Sequence, residues 1–195
     1  MERHAAKLLV VLTLGLPITA WASDVDPVAL ERLAQEAGAD ARVSAHPLTG
    51  GVRFLQVPSG RVALLGEEPV QRATDFLSRH GGAFGIRNLK EQLSAPRVTT
   101  DRYGHTHVAF RQLHRGLPVF GGELRVHLDA DGRLIAANGT FLPGVDVDVA
   151  PRIRVPAATE SAIRDVESGL KAAPVGRLHS RNQRLIVYRP GLAQR

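Results

Sequence analysis

The sequence predicts an α+β protein, in which a helix packs on an antiparallel sheet and an incomplete helix-strand unit follows. Three observations carry that expectation. Glu123 to Asp129 alternates strictly, with Leu124, Val126 and Leu128 on one face and Glu123, Arg125, His127 and Asp129 on the other, as in a half-buried strand. Asp131-Gly132 supplies the positive φ of a tight hairpin turn, and Arg133 to Phe141 returns with Leu134 and Ala136 facing opposite to Ile135 and Ala137. Glu67 to His80 switches to a helical period, with Val70, Ala73, Phe76 and Leu77 on one stripe.

In chain order, residues 1–22 read as a secretory signal. Arg3 and Lys7 open it, an apolar run extends from Leu8 to Trp21, and Ala20 and Ala22 form an A-x-A site that predicts cleavage after Ala22. The run is short for a span of ~20 residues and is broken by Gly15 and Pro17, which disfavours the alternative of an uncleaved anchor. Residues 23–66 form an N-terminal region. There Asp26-Pro27 caps a short helix bearing Val28, Leu30, Leu33, Ala34 and Ala37, and Ala41–Ala45, Gly51–Val57 and Arg61–Leu65 predict three short strands. Residues 67–144 hold the main domain. Its helix begins at Pro69, carries Glu67 and Glu68 at its positive end, and is expected to stop at Arg79-His80 before Gly81-Gly82. Phe84, Ile86 and Leu89 continue an apolar segment beneath it, and Pro96 opens the strand block. Residues 145–156, rich in Pro and Val, predict an extended linker. In residues 157–195, Thr159 is positioned to cap a helix with Ala162, Ile163, Val166 and Leu170, and Gln183–Tyr188 predicts one strand. A helix and one strand cannot bury a full apolar face, so this unit reads as partial.

Composition narrows the function classes. The 195 residues contain no cysteine, so an exported protein must depend on core burial rather than disulfides. Loss of Arg3, Lys7 and Glu2 with the signal takes the 25 basic and 19 acidic residues to 23 and 18, a net charge of +5. The charges are scattered and aromatics are few, which argues against nucleic acid as a partner. No membrane association is expected once the signal is cleaved.

No H-E-x-x-H, G-x-S-x-G, phosphate loop or dinucleotide fingerprint occurs. His105 and His107, placed on one side of a strand, with His114 and His127, are too few and too irregularly spaced to specify a metal site, and a structural role is expected for them. Asp129-Ala130-Asp131-Gly132 lacks the further carboxylates of a calcium loop and reads as a turn. Asn138-Gly139-Thr140 is a glycosylation sequon that more simply ends a strand. The residues alone therefore describe an exported α+β domain with no catalytic residues and no metal ligands.

Pro69 to Gly139 resembles the fungalysin/thermolysin propeptide (FTP) domain, which precedes thermolysin-type zinc metallopeptidases. The resemblance runs through ATDFLSRHGGAFGI at Ala73–Ile86, the Tyr103-Gly104 turn, HVAFRQLHRGLPVFGGEL at His107–Leu124, and DG and NG turns at Gly132 and Gly139. Its centre is Phe110, Gln112, Gly116, Pro118, Val119, Gly121 and Gly122. HPLTGGVRFLQVPSG at His46–Gly60 is similar to the region preceding this domain in bacterial members, and His114 stands where members commonly carry an aromatic. From Ala157 onward, the helix and the RLIVYRP strand resemble the start of a PepSY domain.

The resemblance implies a propeptide fragment acting as intramolecular chaperone and inhibitor of a metallopeptidase catalytic domain in cis. That domain is absent from this sequence, and zinc is expected only within it. The alternative is a stand-alone secreted or periplasmic module that binds a protease in trans. Gly116–Gly122 is the candidate functional loop. The competing reading is that Gly116, Gly121 and Gly122 only supply unusual backbone angles and Pro118 stiffens a crossover. Gln112, on the face of Val108 and Phe110, is expected to be a hydrogen-bonded buried polar group rather than a partner contact.

Overall fold

A computed structural model describes residues 25–169 and 178–189. The signal segment, its cleavage site and Leu170 lie outside the described residues. The strands are β1 (Arg42–Ala45), β2 (Val52–Gln56), β3 (Arg97–Thr100), β4 (Thr106–His114), β5 (Leu117–Leu128) and β6 (Leu134–Thr140), and the helices are α1 (Pro27–Ala37), α2 (Pro69–Phe84), α3 (Leu89–Gln92) and α4 (Val155–Gly169). All six strands join one antiparallel sheet in the order β1-β2-β6-β5-β4-β3. This is the expected α+β arrangement.

The core lies between α2 and one face of this sheet. Ala73, Phe76, Leu77, Ala83 and Phe84 meet Leu55 of β2, Val108 and Phe110 of β4, Leu124, Val126 and Leu128 of β5, and Leu134 and Ala137 of β6. Each fully buried Leu or Phe contributes about 1.5–3 kcal/mol of transfer free energy. In a chain without cysteine this burial carries the stability.

Asp26 caps α1 as expected, its Oδ1 accepting from Val28 N at 2.9 Å. The buried stripe is Ala29, Leu33 and Ala37, however, while Val28 is 59% exposed and Ala34 also faces out. The helix places Ala29 at its close approach to α2 and buries Leu33 in the core.

That contact also explains why α2 does not stop at His80. It runs through Gly81-Gly82 to Phe84 and ends on Gly85, which has φ 92°. A Cβ on Gly82 would lie 2.9 Å from the Ala29 Cβ, and Asp26 N donates to Gly82 O at 3.0 Å. The glycines cost helix propensity, but Gly82 admits α1 and Gly81 lies against Ile86 and Leu89, and this packing offsets the cost. At the other end, Gln71 Oε1 accepts from Glu67 N and Glu68 N at 2.9 and 3.2 Å.

Other expectations need correction. Arg61–Leu65 is not a strand. Val62 is buried in the core, and the backbone of the segment is held by α2 side chains, with Leu65 N donating to Asp75 Oδ2 and Arg79 Nη2 donating to Ala63 O. Asn138-Gly139 is not a turn, since both residues pair with β5, but Asn138-Gly139-Thr140 does end a strand, as the last three residues of β6. Leu134 and Ala137 are buried together, contrary to simple alternation, because an extra residue at Ile135 shifts the register between His127 and Leu128. His105 precedes β4 rather than sharing that strand with His107. The last helix starts at Val155, with Pro156 in its first turn, so Thr159 is internal and does not cap it. No residue of α4 is buried among those described. Within Gln183–Tyr188, only Val187 makes a sheet bridge, parallel to Val119.

His80 is fully buried where α1 meets α2. Its Nε2 lies 2.9 Å from Glu36 Oε2, and Arg79 joins the same carboxylate at 3.0 Å while also holding Asp75 at 2.9 Å. The Nδ1 has no hydrogen-bond partner, so the neutral tautomer with a proton on Nε2 fits the site and imidazolium does not. Burial lowers the pKa of His80, against the opposing pull of Glu36. The unfolded chain therefore binds more protons below the ordinary histidine value of about 6.5, and stability present above that pH is lost as the pH falls. Burial lowers His127 as well, and its contribution has the same sign. The urea midpoint is expected to fall between pH 7 and pH 5, and His80→Gln should flatten the slope to the part that His127 supplies. An unchanged slope in that variant would refute the assignment to His80.

Candidate partner-binding surface

The segment expected to be a loop, Gly116–Gly122, is a hairpin turn followed by the first half of β5. Arg115 and Gly116 have φ of 48° and 82°, as a two-residue turn with both central residues left-handed requires, and His114 pairs with Leu117 across it. Pro118 pairs with Leu113, so it lies in the ladder and does not stiffen a crossover. The register then jumps. Leu113 faces Pro118, but Arg111 faces Glu123, so Val119 to Gly122 bulge opposite Gln112 alone.

Two glycines allow the bulge. Gly121 has φ 74°, and a Cβ on Gly122 would lie 2.7 Å from both Cβ and Oε1 of Gln112. Gln112 is 2% exposed. Its Nε2 donates to Leu142 O at 2.6 Å and its Oε1 accepts from Leu142 N at 2.8 Å, a two-point clamp on the strand exit. The expectation of a satisfied buried amide therefore matches the geometry. Phe110 is also in the core.

The bulge frees the edge of β5 for a second contact. Phe120 N donates to Val187 O at 2.8 Å and Val187 N donates to Pro118 O at 2.9 Å. Val119, Leu142 and Val187 form a small separate core with Leu117 and Val145 beside it. Phe120 points outward, 47% exposed, with its ring edge-on to Tyr188 at 5.7 Å. Of the candidate residues, Phe110, Gln112, Val119 and Gly122 are buried, Pro118 is half-buried, and Gly116 and Gly121 are exposed. Sequence reasoning passed over Phe120. The signal was a large apolar residue directly after an inward Val and ahead of two glycines.

The sheet face away from α2 carries a hydrogen-bonded histidine pair. His107 Nδ1 and His127 Nδ1 are 2.7 Å apart, His127 Nε2 is 2.9 Å from Asn138 Oδ1, and Asp101 Oδ2 lies 3.4 Å from His107 Nε2. His114 bonds instead to Val147 O at 2.9 Å and tethers the segment after the sheet. Among the described residues, no three His, Cys, Asp or Glu side chains are arranged to hold a metal ion. Asp129 closes the β5–β6 turn, its Oδ1 accepting from Asp131 N at 3.0 Å and from Arg133 N at 2.8 Å. No helix among the described residues is long and apolar enough to cross a membrane. What the region offers is a scaffold with exposed glycine and aromatic positions at one corner and a polar open face.

Comparison with known proteins bears on this strand block. The Fungalysin/Thermolysin Propeptide Motif matches residues 91–141, from α3 through β6, so α2 lies outside the matched stretch. The thermostable neutral protease NprT of Geobacillus stearothermophilus is 31% identical over 137 residues, covering 67% of this chain and 25% of that protein. Thermolysin of Alicyclobacillus acidocaldarius is 29% identical over 133 residues, 66% of this chain and 24% of its own length. Bacillolysin of Brevibacillus brevis is 31% identical over 105 residues, 51% of this chain and 20% of its own. The chain thus spans about a quarter or less of these relatives. The propeptide motif match stops at residue 141, ahead of the PepSY-like residues 157–195. The β3–β6 block with its double-glycine bulge carries the fungalysin/thermolysin propeptide motif, and the chain is a homologue of the thermolysin-type neutral proteases through this propeptide domain.

Proposed function

We propose that the chain is the propeptide portion of a thermolysin-type zinc metalloendopeptidase and serves that enzyme as intramolecular chaperone and inhibitor. The observation that carries this reading is the propeptide motif seated on a sheet with a packed core, in a chain without the H-E-x-x-H zinc-protease motif. Such a scaffold contributes binding energy, not chemistry. A template that favours one conformation of its partner stabilises it by mass action alone. The chain is non-enzymatic in this account, and zinc resides in the partner catalytic domain, outside the 195 residues.

The turn and bulge corner is the candidate contact, through Gly116, Gly121 and the neighbouring Arg115 and Phe120. The buried Phe110, Gln112, Val119 and Gly122 hold that corner in shape, with Pro118 at its margin. Export of the chain, to the periplasm or the medium, rests on the residue pattern of Met1–Ala22. The PepSY-like reading of residues 157–195 is part of the same proposal. Its support is the sequence pattern and an α4 that leaves Val166 exposed.

Refolding of a urea-unfolded thermolysin-type catalytic domain tests the chaperone role. Adding the full chain in stoichiometric amount is expected to raise the recovered activity several-fold over an equal mass of an unrelated folded protein. An equal yield in both would reject it.

A further inference from the structure

We infer that the helix-free face of the sheet is a docking surface for an acidic patch on the partner protease; the inference rests on the propeptide reading above. The most extensive contacts between helices and strands are made by α2 and α3, which also touch each other, and α2 packs on the face that carries Val108, Phe110, Leu124 and Val126. On the other side Arg42, Phe54, Arg97, Arg111 and Arg125 are exposed. Residues opposite one another in neighbouring strands share a face, so the register specifies what that side presents.

One row across it is Arg42, Gln56, Ala136, His127, His107 and Thr99, and the next is Ser44, Phe54, Asn138, Arg125, Ala109 and Arg97. A third adds Thr140, Glu123 and Arg111. The acidic side chains at this face are Glu123, which is engaged by Arg125 at 2.6 Å, and Asp101 just past β3, whose carboxylate lies 3.4 Å from His107 Nε2. Arg42, Arg97 and Arg111 form no ion pair with a carboxylate among the described residues, and all three are exposed. At a spacing of about 4.8 Å per strand, six strands make a surface about 24 Å across, with arginines toward both edges.

The chemistry of this face favours protein over nucleic acid. Glu123 sits between Arg111 and Arg125, where it would repel a phosphate backbone, and Phe54 is the one aromatic ring besides the two hydrogen-bonded imidazoles. Arginines interspersed with Asn, Gln, Thr and small Ala suit carboxylates spaced on a folded surface, where the guanidinium fork binds two oxygens at once. Complementary charge of this kind steers encounter and fixes orientation.

The test measures binding of the full chain to immobilised thermolysin, comparing wild type with Arg97→Glu/Arg111→Glu. The control, Arg32→Glu/Arg164→Glu, makes the same charge change on α1 and α4. The face variant is expected to raise Kd at least tenfold, the control to stay within twofold, and wild-type Kd to rise with salt. Arg97→Gln/Arg111→Gln, which only neutralises, should show a smaller loss in the same direction if the reversal variant does not fold. Tight wild-type binding unaffected by either face variant would overturn the docking face and leave the propeptide reading intact. Absence of wild-type binding would overturn both. Duplex DNA binding that the same variants abolish would also overturn the proposal.

Discussion

Gly139→Ala is expected to lower the stability of the chain by about 3 kcal/mol or more in a urea titration, and Gly139→Val by at least as much. Gly139 pairs with Leu124, one pair in from the end of the β5–β6 ladder, and has φ 144°. A Cβ there would lie 2.0 Å from Glu123 O and 2.8 Å from Leu124 Cα. Both are backbone atoms of a central strand, so relief requires the two strands to part and the core behind Leu124 and Val126 to open. Gly116 gives the contrast. Its φ is 82°, but no atom lies within 4 Å of its Cβ position, so Gly116→Ala should cost only the left-handed backbone term of about 1 kcal/mol. Similar losses at the two positions would mean that backbone angle, and not close strand approach, sets the cost.

Gln112→Met is expected to lose about 2–4 kcal/mol. Methionine fills nearly the same space, so little of the loss is cavity. The cost arises because Leu142 N–H and C=O lose their partner in a buried site, at about 1–3 kcal/mol for each unsatisfied group. Gln112→Glu separates the two bonds. A carboxylate still accepts from Leu142 N but meets Leu142 O with no proton to donate, and its pKa in the folded state should be raised by burial and by that carbonyl. The folded protein then binds the extra proton, so this variant should recover stability as the pH falls, opposite to the wild-type slope set by His80 and His127. A Gln112→Glu stability that declines with falling pH in parallel with wild type would count against the clamp.

The parts of this fold legible in the sequence are those decided within a few residues. The Asp26-Pro27 cap, the Asp131-Gly132 turn and the alternation of Leu124, Val126 and Leu128 each follow from local geometry, and each stands in the structure. What was not legible depends on distant neighbours. Gly81-Gly82 reads as a helix stop until α1 is known to need the space at Gly82, and Ile86 and Leu89 the space at Gly81. His80 reads as a helix-end cation until Glu36, far along the chain, comes to face it inside the protein. Arg61–Leu65 has the apolar content of a strand, yet its backbone is satisfied by Asp75 and Arg79 of α2. A single bulge at Ile135 reverses the faces expected for Ala136 and Ala137.

The same division holds at the candidate site. Gln112 could be read as a buried hydrogen-bonded residue because Val108 and Phe110 share its face, but its partner Leu142 could not. Gly116–Gly122 reads as a loop because glycine and proline usually mark one. A two-residue turn and a bulge need the same residues, and the pairing of Pro118 with Leu113 is a tertiary fact. The outward Phe120 follows from that bulge and could not precede it.

Steady-state inhibition of a purified thermolysin-type protease by the folded full chain, with a short peptide substrate, tests the propeptide account most directly. The account predicts saturable inhibition, weakened when Gly116-Leu117-Pro118 is replaced by residues that cannot form the Arg115-Gly116 turn. Absence of inhibition by a chain whose circular dichroism shows it folded would contradict it.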